Sequence, residues 1–434
     1  MGFSLSLRLG DSIQGVLSAA GMVATEASVK VEKDITLSLR QVIRELLSQA
    51  HLTGEQIHEI YLAADFPELF TRKKLQREQI GYIRYLPNGE VESKRRSSLK
   101  NWVQTETVKD FRELKDVLCK YKGVLSTFAV NPEISSWFDV TEGSIKPIFH
   151  ELLGEGTILS LGSAFNQIGY KARENILLLN TLLLPGVNFF YDGLKRLIEE
   201  EKIQARIFTL RNNGMLMSEA WARQFPLYTV EVQFIADLLS LSGRLKVQNA
   251  LGLVRKRDKL YLGKLEKYRP ELSQTSLNIL QMSIRVPHPI LGSYHFVRDN
   301  ARDPLEELRK DLSHFNSEKE NLPVIISGLS EEWRYRLLAN WKSTPKPIFL
   351  SPDPLWFRYA PICFECEVFV SYAPQEGNQS RNQLIQKMWT QLSKEAEAEG
   401  FVFDENWKTF WEERPIRYLP GEASLIRLGY YRKG

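Results

Sequence analysis

A chain of 434 residues is too long for one typical domain, so two or three are expected. An apolar fraction of 43% and a charged fraction of 25% are those of an ordinary globular protein, and a net charge of +4 over this length does not suggest nucleic acid or an acidic membrane as partner. No run approaches the ~18 apolar residues that span a bilayer, the N-terminal MGFSLSLRLGDS lacks a basic segment before an apolar core, and three cysteines argue against a disulfide framework, so the cytoplasm is the expected location.

Phe3 to Leu9 alternates apolar and polar residues, Gly10-Asp11-Ser12 makes a turn, and Ile13 to Leu17 returns, so a β-hairpin opens the chain. Ala27 to Glu32 is a further strand. Leu37, Val42, Ile43, Leu46 and Leu47 line one face of a helix, and Gly54 ends that unit. Ile57 to Ala63 and Ile80 to Tyr85 are strands, Val108 to Tyr121 is a helix, and Val124 to Val130 and Ile158 to Ser160 are strands. Arg72-Lys73-Lys74 and Lys94-Arg95-Arg96 are short basic clusters. They lack the long basic face and stacking aromatics of a nucleic-acid site and read as solvated loops.

The clearest succession of elements runs from Ala172 to Val230. An apolar run, Ile176 to Leu184, is closed by Pro185-Gly186. Leu183, Val187, Phe190, Leu194, Leu197 and Ile198 then recur at helical spacing. Ala205 to Leu210 is a strand ending in Asn212-Asn213-Gly214, residues that tolerate positive φ and so make a tight turn. Ser218 caps a short helix, Glu219 to Arg223, that stops before Pro226.

Leu238 to Leu253 is mostly apolar and helix-compatible. Arg255 to Arg269 is basic, with Tyr261 and Tyr268 interleaved, and reads as a charged surface hairpin or helix. Leu305 to Phe315 is amphipathic, Val324 to Ile326 a buried strand and Ile348 to Leu350 another. Cys363-Phe364-Glu365-Cys366 is a lone Cys-x-x-Cys. Zinc wants four ligands, and neither Cys119 nor the six histidines offer a paired spacing, so the pair reads as structural. Asn382 to Glu399 is a long helix that Asn382 can cap and Gly400 closes.

By itself Asn212-Asn213-Gly214 is a turn without chemistry. The order Arg173, Asn180, Pro185, Asn212-Asn213-Gly214-Met215-Leu216-Met217-Ser218, Ala222, Pro226 resembles the core of the hydantoinase A/oxoprolinase family. There an Arg precedes an Asn-Ala-x-Leu-x-Pro helix start and a Ser-Asn-Gly-Gly-Leu-Met-Ser segment. Asn131-Pro132-Glu133 and Arg417-Tyr418 resemble further family segments. The resemblance implies a two-lobed, actin-like ATPase fold, with ATP-dependent opening of cyclic amides or carboxylation of ketones as the activities.

It also implies where chemistry is lost. The family's opening hairpin carries Asp-Val-Gly-Gly-Thr-Phe-Thr-Asp. Here Gly10 is kept and Ser12 replaces Thr, but Arg8 stands where the Asp belongs and Asp11 where the second Gly belongs. Mg²⁺ takes oxygen ligands, which Arg8 does not supply, and a carboxylate at Asp11 repels phosphate. The hydroxyl-bearing turn after the next strand is replaced by Ala63-Ala64-Asp65. Thr229-Val230 runs into Glu231-Val232-Gln233-Phe234 where the family has Ser-Gly-Pro-Ala. The family's second Gly-Gly-Thr hairpin is not found, and Ile284 to Phe296 cannot form its Gly-rich phosphate loop. Pro323 to Ser330 resembles the adenosine motif, with Ser327 in place of its first Gly.

The expectation is an α/β protein with two actin-like (ribonuclease H-like) lobes, 1–170 and 171–366, the second with a shortened catalytic segment, plus a small α+β C-terminal module, 367–434. Gly10, Ser12, Asn213, Gly214, Gly328 and Ser330 form a remnant nucleotide cleft, closed by pairing of Arg8 with Asp11. No catalytic residue, metal ligand or cofactor is expected. The function implied is that of a non-catalytic structural or regulatory partner of a related hydantoinase-type subunit or paralogue, with neither nucleic acid nor membrane as partner. The competing reading is an ATP-dependent cyclic-amide hydrolase or carboxylase subunit using ATP and Mg²⁺. A third is a nucleic-acid binder built on Arg255 to Arg269.

Overall fold

The computed structural model describes residues 2–31, 34–71, 80–86, 103–132, 142–165, 170–212, 214–246, 249–256, 259–266, 273–279, 282–288, 291–298, 323–327, 331–339, 341, 347–372, 378–418 and 421–432. The helix expected at Leu305 to Phe315 lies outside them. The chain opens with β1 (Phe3–Leu9), β2 (Ser12–Ala19) and β3 (Met22–Lys30), an antiparallel meander. α1 (Ile35–Ala50) leads back to β4 (Ile57–Ala64), which pairs parallel with β1. After α2 (Phe66–Thr71) come β5 (Ile80–Tyr85), β6 (Gln104–Val108), α3 (Phe111–Tyr121), β7 (Thr127–Pro132), α4 (Glu142–Leu153) and β8 (Ile158–Leu161). Their strands form a separate, wholly parallel sheet in the order β6-β5-β7-β8.

The long α5 (Tyr170–Glu200) returns the chain to the first sheet through β9 (Arg206–Leu210) and β10 (Leu216–Ser218), followed by α6 (Glu219–Gln224) and α7 (Val232–Leu245). Next come β11 (Asn249–Lys256), β12 (Lys259–Glu266), a ribbon of β13 (Ser273–Ile279) and β14 (Met282–His288), then β15 (Leu291–Arg298), β16 (Val324–Ser327), α8 (Glu331–Ala339) and β17 (Ile348–Phe349). The chain ends with β18 (Ile362–Tyr372), α9 (Asn378–Ala398), β19 (Trp407–Tyr418) and β20 (Gly421–Arg432).

The protein is α/β with large mixed sheets, and one pattern occurs twice. In the nine-stranded sheet, order β19-β20-β18-β10-β9-β4-β1-β2-β3, the run β3-β2-β1-β4-β9 steps antiparallel, antiparallel, parallel, parallel. The five-stranded sheet, β15-β12-β11-β16-β17, repeats those steps. The opening hairpin and β16 thus lie in different sheets. The repeat supplies a second hairpin, β11–β12, in the place that β1–β2 holds in the other sheet, although its sequence carries no Gly-Gly-Thr. It was hidden because the apolar run from Leu238 to Leu253 is two elements. α7 stops at Leu245, Lys246 takes a positive φ of 55°, and the alternation Ala250-Leu251-Gly252-Leu253 belongs to β11.

α5 differs from expectation in the other direction. Pro185-Gly186 does not close the apolar run, and the helix passes straight through it. An interior proline removes one backbone hydrogen bond and costs about 3 kcal/mol. Leu177, Leu178 and Leu179 before it and Val187, Phe190, Tyr191 and Leu194 after it are all buried, at about 1.5–3 kcal/mol each. Burial on both flanks outweighs the break. At Gly186 a Cβ would come within 3.1 Å of the Phe70 ring, so the glycine admits α2 against the helix. Among the described residues α5 is the one helix long and apolar enough to cross a membrane, and 72% of its most apolar window is buried in the protein.

α1 shows how closely local rules are followed. The Asp34 carboxylate accepts from the Thr36 N–H at 2.8 Å, Leu39, Val42, Ile43 and Leu46 fill the core, and His51 ends the helix in the left-handed region. α9 starts four residues earlier than expected, which puts Asn382 inside it rather than at its cap. The boundary read at 366/367 falls within β18, whose pairing with β10 and β20 joins the C-terminal strands to the first sheet.

Candidate functional site

β1, β4 and β9 run parallel, so their carboxyl ends meet at one edge of the first sheet, the edge at which open α/β sheets receive ligands. Gly10 and Ser12 lie at the β1–β2 turn and Gly214 at the β9–β10 turn, where its φ of 77° serves the tight reversal. Asn213, Gly328 and Ser330 lie outside the described residues.

The edge is occupied by the chain's own groups, most of them from the segment leading into α7. The Gln233 side-chain amide donates to the Leu9 carbonyl at 3.1 Å and to the Ala63 carbonyl, bridging the ends of β1 and β4. The Asp65 carboxylate accepts from the Glu68 N–H at 2.9 Å and the Glu231 N–H at 2.7 Å. Phe66 N–H donates to the Thr229 hydroxyl at 3.1 Å, and Asn212 N–H to the Tyr228 carbonyl at 2.7 Å. Glu231 holds a positive φ of 57° where the chain turns into the helix.

Arg8 does not pair with Asp11. Its Nη1 lies 2.6 Å from Asp237 Oδ1, one helical turn beyond Gln233 on α7, and the two side chains are 16% and 5% exposed. The physical reason is burial. Asp11 sits exposed on the turn, whereas the Asp237 carboxylate is enclosed and requires a cation. Gln233, Asp237 and Asp65 had no assigned role in the sequence. A Gln and an Asp four apart on an apolar helix were the available signal, because i,i+4 residues share a face.

The residues that carry the family resemblance hold backbone in place. Asn180 is fully buried, donates to the Gln224 carbonyl at 2.9 Å and accepts from the Leu227 N–H at 3.2 Å, which fixes the turn at Pro226. Arg173, also buried, donates to Asn131 Oδ1 at 2.9 Å and the Pro132 carbonyl at 2.6 Å. Beside it Glu174 accepts from the Tyr82 hydroxyl at 2.7 Å and from Arg84 at 2.8 Å. This network fastens the four-stranded sheet to the start of α5.

The Cys-x-x-Cys lies on β18, where residues three apart face opposite sides of the sheet, so the two thiols do not converge on one ion. Among the described residues no group of three or more His, Cys, Asp or Glu is placed to hold a metal. Burial pushes the Cys363 thiol up to about 11, against the pull of Arg427 and Arg211. The thiolate is the nucleophile, so at pH 8 iodoacetamide should label exposed Cys119 and spare Cys363 in the folded protein, as peptide mapping will read.

No protein-family model matches the sequence, and a search of curated proteins finds no match. Solved structures do share the fold. An ATP-dependent caprolactamase from Pseudomonas jessenii superimposes with a TM-score of 0.69 at 11% identity, over 99% of this chain and 87% of that one. A nucleotide-free acetone carboxylase superimposes with a TM-score of 0.63 at 8% identity, over 100% of this chain and 88% of that one. At such identities the likeness is one of fold.

Proposed function

We propose that this chain is a hydantoinase A/oxoprolinase-type protein, with two actin-like lobes and a C-terminal α+β module, whose nucleotide cleft is closed. It serves as a non-catalytic structural or regulatory partner of a related subunit or paralogue. The observation that carries this reading is the Arg8–Asp237 ion pair. Arg8 stands at the position that the resemblance assigns to an oxygen ligand, and a guanidinium there repels a divalent cation. The residues present therefore do not fit Mg-ATP, and Gln233 and Asp65 occupy the strand ends beside it.

Calorimetry with Mg-ATP and a phosphate-release assay test the reading. No hydrolysis is expected, with binding at best millimolar, roughly −4 kcal/mol. A steady ATPase rate that Ser12→Ala abolishes would overturn it. A pull-down from the native source should return a related protein, in a contact burying at least ~1,000 Å². Recovery of this chain alone counts against the partner role.

A second reading, an ATP-dependent cyclic-amide hydrolase or carboxylase subunit, draws support from the duplicated hairpin β11–β12 and from the two ATP-dependent enzymes that share the fold. The ATPase measurement separates the two.

A further inference from the structure

β19 is the outermost strand of the nine-stranded sheet, and among the described residues no strand pairs with its outer side. An edge strand presents unpaired backbone N–H and C=O groups to solvent. The two edges of this sheet differ. On β3, Thr25 pairs with Leu17 and Val23 with Ser18, so Ala24 is an extra residue and its bulge breaks the row of edge groups. β19 pairs with β20 in one unbroken register, from Trp407 opposite Arg432 to Tyr418 opposite Gly421, so its free side is regular. Trp411 on this strand is 53% exposed. Lys408 is exposed and Glu412 half-buried, and among the described residues neither makes an ion pair within the chain.

We propose that β19 pairs antiparallel with β19 of a second copy of this chain, about a two-fold axis at Phe410, so that Lys408 of each copy faces Glu412 of the other. Side chains alternate faces along a strand, and a two-fold antiparallel pair sets like face against like. An even-numbered residue of β19 therefore opposes only another even-numbered one. Those positions are Lys408, Phe410, Glu412, Arg414, Ile416 and Tyr418, and Glu412 is the one carboxylate among them. A single register thus neutralises Lys408, and the two-fold axis repeats the contact. The neighbouring registers do not. An axis at Trp411 sets Lys408 against Arg414, and an axis at Thr409 sets it against Phe410. Opposite charges directly across an antiparallel pair stabilise it, and like charges destabilise it. With the axis at Phe410, Trp407 faces Glu413, and exposed Trp411 faces Thr409. Pro415, which has no N–H to give, falls opposite Glu405, ahead of the first strand residue Trp407, and so lies outside the paired stretch. The occupant is a second copy because the charge pattern of the edge is complementary to itself, as a two-fold interface requires.

Sedimentation of the full chain over ~1 to ~100 μM tests the proposal. The 50.1 kDa chain should approach twice that mass as its concentration rises. Lys408→Glu and Glu412→Lys each set like charges across the axis and should weaken association by about tenfold or more. An aromatic circular dichroism spectrum matching the parent's shows that each variant is folded. Mixing the two variants should restore association, because in the mixed pair both contacts again join opposite charges. A parent that stays at 50.1 kDa throughout leaves the edge to some other strand and overturns the proposal. So does a dimer that both variants leave intact, or one that mixing them fails to restore.

Discussion

Replacing Glu365 with Ala lowers the stability of the C-terminal half of the first sheet by about 3–5 kcal/mol, because it removes the carboxylate that two buried guanidinium groups share. Glu365 on β18 accepts from Arg427 Nε on β20 at 3.1 Å, and its other oxygen pairs with Arg211 at the end of β9. All three residues are less than a tenth exposed. Arg211 also lies 4.3 Å from the centre of the Tyr228 ring, so the triad reaches the turn into α7. A chain this long does not unfold in one step, so the measurement is hydrogen exchange resolved by segment. The amides of β18 and β20 should lose protection while those of β5 and β7 keep theirs. Replacing all three residues with Met, Leu and Met should restore most of the loss, since apolar groups of similar volume carry no unpaired charge. Unchanged protection in Glu365→Ala would mean that the triad is not what ties these strands together.

Arg8→Ala is the second substitution with a large expected effect. It leaves the Asp237 carboxylate enclosed without its guanidinium, at a cost of about 3–5 kcal/mol, and lowers the melting temperature. Asp237→Ala alone leaves Arg8 unpaired, and its Nε and Nη2 already have no partner among the described residues. The double variant should be more stable than the sum of the single losses predicts, with a coupling of about 0.5–3 kcal/mol in a double-mutant cycle. Additive losses would show that the pair does not act as a unit. Arg8→Asp recreates the carboxylate of the active family pattern but places it beside Asp237, where like charges repel. It should gain no ATP turnover.

Local periodicity made much of the first sheet legible. β1, α1 and β4, and in the four-stranded sheet β5, fall within two or three residues of their expected bounds because alternation and helical spacing are unambiguous there. Elsewhere tertiary context decided. α5 keeps its course through Pro185 because both flanks are buried, which no window of sequence displays. β6, with its exposed residues and no clear apolar alternation, has no counterpart among the expected elements, and only its last residue, Val108, falls in the helix expected from there. The site was legible only in part. Arg8 stands out in the sequence, but its partner stands 229 residues away on α7, and spacing carries no information across that distance. Asn180 and Arg173 were recognised by order, yet their geometry ties them to backbone carbonyls and amides rather than to a reacting group.

The nine-stranded sheet has a consequence for biosynthesis. β1, β2, β3 and β4 leave the ribosome well before β18 and β20, which belong to the same sheet. Throughout elongation the flank of β10 waits without its neighbour. β10 is only three residues long and meets β18 through the single register pair Leu216 and Ile362. So short an edge offers few unpaired amides to a neighbouring nascent chain, which limits the aggregation hazard that a long open strand would present during that wait.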